Sequence, residues 1–159
     1  MDYVIYSDGA ATLKKENNEY QRCAGGHAFV VYNNGIIIYK ESHGSPQSTN
    51  NEQELLAIRD ALLWLKINPK FDAFSNAIIY SDSAYCVNIF NSWINSWIKN
   101  NWTRGKKHEP IENLTIIQEI HGLLKEMPNI EIKKVKGHGT SAGNIIADEL
   151  AVEAKKKFM

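Results

Sequence analysis

The chain has 159 residues, 43% hydrophobic and 23% charged, which is the make-up of one ordinary globular domain and leaves little room for a second. Its 18 basic and 18 acidic side chains cancel, which argues against indiscriminate binding to nucleic acid, and no apolar run approaches the ~20 residues of a membrane-spanning helix. Cys23 and Cys86 lack CxxC spacing, and Met1-Asp2-Tyr3 enters a strand without a basic export signal, so the expectation is a cytoplasmic protein with reduced thiols and no membrane partner.

Residues 3–8 read as a strand that ends in a carboxylate, with Val4, Tyr6 and Asp8 on one face in what reads as an inward row. Residues 24–32 and 36–42 read as a hairpin closed by Asn33-Asn34-Gly35, the composition of a tight primed turn. A helix follows, opened by Thr49 and Glu52 at capping-box spacing and carrying Leu55, Ile58, Leu62 and Leu65 as an apolar stripe, with Pro69 just past its end. Residues 77–81 repeat the first pattern, with Ile78, Tyr80 and Asp82 on one face. Ser83 can cap a helix through residue 90, and residues 92–101 read as another, rich in tryptophan and isoleucine. Gly105–Pro110 is a basic loop, 111–125 a helix, 130–135 a strand, and a glycine-rich loop at 137–143 leads into a last helix from about Asn144. This order describes an α/β fold, a mixed sheet with helices on its faces.

Two kinds of residue carry chemistry. A bare carboxylate continuing a buried row is costly to desolvate, so Asp8 and Asp82 point to divalent cations. Glu54, near the start of the first helix, and Asp148, beside Glu149 at the start of the last, can join them. Any one of these acids by itself reads as an ordinary solvated or capping carboxylate. Lys99, Arg104, Lys106, Lys107 and His108 form a run with no acid before Glu109. Trp97 and Trp102 interleave it, the composition of a surface that stacks on sugar or base. The lysines at 155–157 read as a solvated terminus, and Trp93 as part of the core.

Five ordered segments make the pattern specific: Tyr-Ser-Asp-Gly-Ala at 6–10, Thr-Asn-Asn-Glu-Gln-Glu-Leu at 49–55, Tyr-Ser-Asp-Ser-Ala-Tyr at 80–85, Val-Lys-Gly-His-Gly at 135–139, and Asn-Ile-Ile-Ala-Asp-Glu-Leu-Ala at 144–151. Together they resemble type 1 ribonuclease H from residue 3 to about 154, within a single domain spanning 1–159. The resemblance implies a ribonuclease H-like fold with a five-stranded mixed sheet, three antiparallel strands followed by two parallel ones. It implies hydrolysis of the RNA strand of RNA–DNA hybrids, with two Mg²⁺ ions (Mn²⁺ as a possible substitute) held by Asp8, Glu54, Asp82 and Asp148, and Asp8 bridging. Two ions about 3.5–4 Å apart can activate water and stabilise the leaving oxygen, and hard ions of this kind favour carboxylates.

By the same resemblance, His138 helps product leave or shuttles a proton, while His27, His43, His108 and His121 match no catalytic motif. Gly9, Thr49, Asn50 and Asn51 correspond to positions that meet the hybrid. Residues 92–110 resemble a basic handle that grips the DNA strand, with Trp97, Lys99, Asn100, Trp102, Arg104 and Lys106 as contacts. Ala84 stands where some members carry a longer substrate-contacting side chain. The expected state is a monomer. The alternatives are an integrase- or resolvase-type nuclease, a ribonuclease H domain of a reverse transcriptase, and a hybrid-binding module without catalysis. The last would lack one of the acids, and none is missing.

Overall fold

A computed structural model describes residues 2–12, 14–16, 19–21, 23–135 and 141–159. Its strands are β1 (Asp2–Ala11), β2 (Lys14–Glu16), β3 (Glu19–Gln21), β4 (Cys23–Asn33), β5 (Ile36–Ser48), β6 (Asn76–Ser81) and β7 (Ile130–Lys134). Its helices are α1 (Asn50–Ile67), α2 (Ala84–Asn88), α3 (Ile94–Lys99), α4 (Leu114–Glu126) and α5 (Ala142–Lys156), with a π-helical turn over Ile89–Trp93 joining α2 to α3.

Five strands form one sheet in the order β5-β4-β1-β6-β7. The pairs β1–β4 and β4–β5 are antiparallel, and β1–β6 and β6–β7 are parallel, as the resemblance implied. The primed turn forms as its sequence requires, with Asn34 and Gly35 both left-handed at φ 52° and 77°. β2 and β3 make a separate small ribbon that the sequence pattern did not reveal.

The core lies on one face of the sheet. Tyr3 and Ile5 of β1, Phe29 and Val31 of β4 and Ile79 of β6 meet the buried stripe Leu55, Ile58, Leu62 and Leu65 of α1. Ile117, Ile120 and Leu123 of α4 close this layer, and each such aliphatic side chain removed from water contributes roughly 1.5–3 kcal/mol. α5 covers the opposite face with Ala147, Ala151 and Ala154, small residues that let it lie close to the strands. A β-carbon on Gly26 would come within 2.2 Å of the Ala151 carbonyl oxygen, so only glycine admits this approach.

The row Val4, Tyr6 and Asp8 belongs to this second face, which corrects the reading of it as the main inward row. Val4 and Tyr6 are half-buried there, and Tyr6 packs against Tyr80 at 5.3 Å and Tyr32 at 5.7 Å. The odd-numbered partners Tyr3, Ile5 and Ser7 are the fully buried ones.

Boundaries also differ. β5 runs on to Ser48 through Pro46, which an edge strand tolerates because one side of its backbone has no ladder to supply. α4 begins at Leu114 rather than at 111, because Asn113 is left-handed at φ 59° and cannot continue a helix backwards.

Candidate active site

The first turn of α1 is fixed from several sides. Thr49 caps it, its hydroxyl accepting a hydrogen bond from the Glu52 backbone N–H at 3.2 Å. Asn50 ties it to β1, its Oδ1 accepting from the Ala11 N–H at 2.7 Å. Gly9 lets the two backbones touch, since a β-carbon there would lie 2.3 Å from the Glu54 nitrogen and 2.4 Å from the Gln53 carbonyl carbon. Three residues singled out for substrate contact therefore already hold helix and strand together.

That docking carries Glu54 to Asp8, which sits in β1 just past its last parallel pair with β6, and Asp82 directly follows β6. One carboxylate oxygen from each of Asp8, Glu54 and Asp82 lies within 4.8 Å of the other two. Asp8 is 3% exposed and Glu54 8%. Burial first, then the charge of Asp82 and a hydrogen bond that the Asp8 carboxyl donates to Asp148, push the Asp8 pKa up to about 8. Glu54 is likewise raised well above the usual carboxylate range, by burial and then by the charges of Asp8 and Asp82. The Glu54 Oε2 atom is buried and has no hydrogen-bond partner among the described residues. Hard oxygen donors, mutual repulsion and an orphaned buried oxygen together fit a divalent cation.

Asp148 projects from the second turn of α5 rather than the first, because that helix starts earlier than its sequence indicated. It is exposed yet near enough to Asp8 to act on it. His138 lies outside the described residues.

The basic segment divides into anchors and contacts. Trp97 and Trp102 are half-buried and pack on the core, with the Trp102 ring 5.8 Å from His121. Trp93 is 39% exposed, the reverse of the expected assignment, because the π turn rotates the helix and brings Ile94 inward instead. Asn100 donates through Nδ2 to the carbonyls of Gly105 at 2.8 Å and Thr103 at 3.3 Å, so its side chain shapes the loop. Arg104 and Glu109 exchange backbone hydrogen bonds of 2.8 Å, which make the basic loop a short hairpin. Lys99, Arg104, Lys106 and Lys107 are exposed along it.

One polar group near the site had no role in the sequence reading. His27 of β4 is 6% exposed and bridges Gln53 Oε1 (2.6 Å) and Asp60 Oδ2 (2.7 Å) of α1. The legible signal was on α1 itself, where polar Gln53 and Asp60 lie two turns apart beside the apolar stripe.

Comparison with known proteins gives a consistent result. The family model described as RNase H matches residues 1–156. A ribonuclease H of Caldicellulosiruptor saccharolyticus is 37% identical over 151 residues, covering 94% of this chain and 93% of its own. Among solved structures, LC9-RNase H1, described as a type 1 RNase H with the type 2 active-site motif, superposes with a TM-score of 0.79 at 24% identity, over 99% of this chain and 74% of that one. LC11-RNase H1, solved in complex with an RNA/DNA hybrid, gives 0.71 at 20% identity, over 98% and 97%.

Proposed function

Because this chain belongs to the RNase H family, we propose that it is a Mg²⁺-dependent endoribonuclease that hydrolyses the RNA strand of RNA–DNA hybrids and leaves 3′-hydroxyl and 5′-phosphate ends. The observation that carries this reading is the convergence of Asp8, Glu54 and Asp82 within 4.8 Å, with a buried Glu54 oxygen left unpartnered.

In this reading Asp8, Glu54, Asp82 and Asp148 would together hold divalent cations. When bound, the ions supply an activated water and charge stabilisation for the leaving 3′-oxygen. The protein supplies position. β1 and β6 fix the two aspartates in parallel register, Ser7 pairing with Ser81 immediately before them. Burial of Asp8 and Glu54 keeps the local dielectric low, so charge placed there acts strongly. His138 is assigned the proton shuttle or product-release role.

Gly9, Thr49, Asn50 and Asn51 line the path of the hybrid, where the 2′-hydroxyls of the RNA distinguish one strand from the other. Of these, Asn51 has its side chain exposed at the first turn of α1, beside the cluster. The hairpin with Lys99, Arg104 and Lys106 grips phosphates of the DNA strand. Trp97, Asn100 and Trp102 serve there by holding its shape rather than by stacking on bases. The protein acts as a monomer in the cytoplasm, a compartment that suits the free thiols Cys23 and Cys86.

The experiment is cleavage of an RNA-labelled hybrid with Mg²⁺, beside single-stranded RNA, duplex RNA and duplex DNA, with Asp82→Asn as control. Hybrid-only cutting that vanishes in the variant is the expected result. Uncut hybrid, or cutting of duplex DNA, would overturn the reading.

A further inference from the structure

Three polar side chains are sealed inside this protein next to Glu54: Gln53 at 0% exposure, Ser48 at 1% and His27 at 6%. They form a chain of hydrogen bonds whose direction can be worked out by counting protons. Ser48 has one hydroxyl proton, and its Oγ lies 2.8 Å from Glu52 Oε1, which can only accept. Ser48 therefore gives its proton there and accepts from Gln53 Nε2 at 2.7 Å. That orients the amide, so Gln53 Oε1 faces His27 Nδ1 at 2.6 Å, and this ring nitrogen is a donor. The other, Nε2, faces the Asp60 carboxylate at 2.7 Å. His27 is thus clamped through both ring nitrogens, and the second oxygen of Asp60 is held by Arg59 at 3.0 Å. The His43 ring lies 5.5 Å away on β5.

We infer that this directed chain, Glu52–Ser48–Gln53–His27–Asp60, positions the first turns of α1, so that Gln53 and His27 are positioning residues for Glu54 as a cation ligand. Stability alone is a weak reason for such an arrangement, because apolar side chains of the same volume fill a core as well or better. Directional bonds do what apolar contacts cannot: they fix both the rotation and the slide of the helix. Gln53 immediately precedes Glu54 and is held at both ends of its amide. Gly9 presses on the same peptide from β1, so any turn of α1 that moved Glu54 from Asp8 would strain a backbone contact and break this chain. Groups that orient metal ligands typically cost about 10–100-fold in metal affinity or activity when removed.

The inference deepens the hybrid-cleaving reading, but its decisive measurement needs no substrate. Mg²⁺ is titrated into the free protein by NMR for wild type, Gln53→Leu, His27→Phe and the milder Ser48→Ala. Leu62→Ala serves as a core variant that loosens α1 without touching the chain. All are compared at a temperature where melting curves show them folded, and kcat and KM on a hybrid are read alongside. Gln53→Leu and His27→Phe are expected to weaken Mg²⁺ binding about tenfold and lower kcat to match, with KM within about twofold, and Ser48→Ala about threefold. Leu62→Ala is expected to lower Tm while leaving Mg²⁺ binding unchanged. Mg²⁺ binding at wild-type strength in the folded chain variants would overturn the inference. A wild type that binds Mg²⁺ but leaves hybrids uncut would instead count against the proposed activity, with the binding comparison still decisive for the chain.

Discussion

Glu54 and Asp60 lie on the same helix, less than two turns apart, and live in opposite electrostatic worlds. Glu54 faces other carboxylates, and its pKa is driven up by burial and by the charges of Asp8 and Asp82. Asp60 is also pushed up by burial, but the hydrogen bond and charge of His27, and then of Arg59, outweigh that and hold it below the ordinary value. One acid is complete within the protein, and the other requires a cation from solution. A buried carboxylate marks a binding site when its neighbours fail to satisfy it.

The sharpest way to break this contrast is to remove an acid from the unsatisfied cluster. Asp82→Asn or Asp8→Asn should cut hybrid cleavage by at least about 10³-fold, roughly 4 kcal/mol of lost transition-state stabilisation, while the metal-free fold survives or gains stability. Kinetics beside thermal melts read both, and an active Asp8→Asn enzyme would sink the assignment. At the satisfied site the same exchange should do the reverse. Asp60→Asn leaves His27 and Arg59 without their counter-charge and should cost about 2–4 kcal/mol in denaturant unfolding.

Between these in character, and smaller in effect, is the basic hairpin. Neutralising Lys99, Arg104, Lys106 and Lys107 together should flatten the dependence of log affinity on log salt by up to about 0.7–0.9 for each phosphate that the hairpin no longer neutralises. An unchanged slope would remove the hairpin from the interface. Stability against pH separates the two sites by sign, because they slope in opposite directions. Asp8 titrates near 8 in the metal-free fold against 3.8 in the unfolded chain, so its contribution is full below pH 3.8 and drains away as pH rises towards 8. Asp60 contributes above 3.8 and loses that contribution as pH falls through its lowered folded value. Metal-free melts from pH 4 to 9 should therefore show a decline between pH 4 and about 8 that Asp8→Asn reduces and Mg²⁺ reverses.

The cluster is legible in the sequence because each acid sits beside a recognisable element: Asp8 and Asp82 close alternating apolar strands, and Glu54 follows a cap and precedes a helical stripe. The His27 chain is harder to read because its members come from β4, β5 and α1, and nothing in a lone histidine announces which helix it will face. Trp93, read as core, is exposed for a local reason. A π turn shifts the helical phase, and a period of 3.6 residues carried through Ile89–Trp93 points the following side chains to the wrong side. Pro46, two residues after Gly44, hides the second half of β5, since strand breakers cost least on an edge.

The acids of the proposed site are dispersed from Asp8, near the start of the chain, to Asp148 in its last helix, and Glu54 reaches Asp8 only once α1 has closed over β1. No hairpin, helix pair or half-sheet contains a working set. On the proposed reading, a chain cut within β7 carries three of the four carboxylates without Asp148, and cleavage should await the docking of α5. On that reading a fragment lacking α5 should leave hybrids uncut, which ties cleavage to assembly of both faces of the sheet.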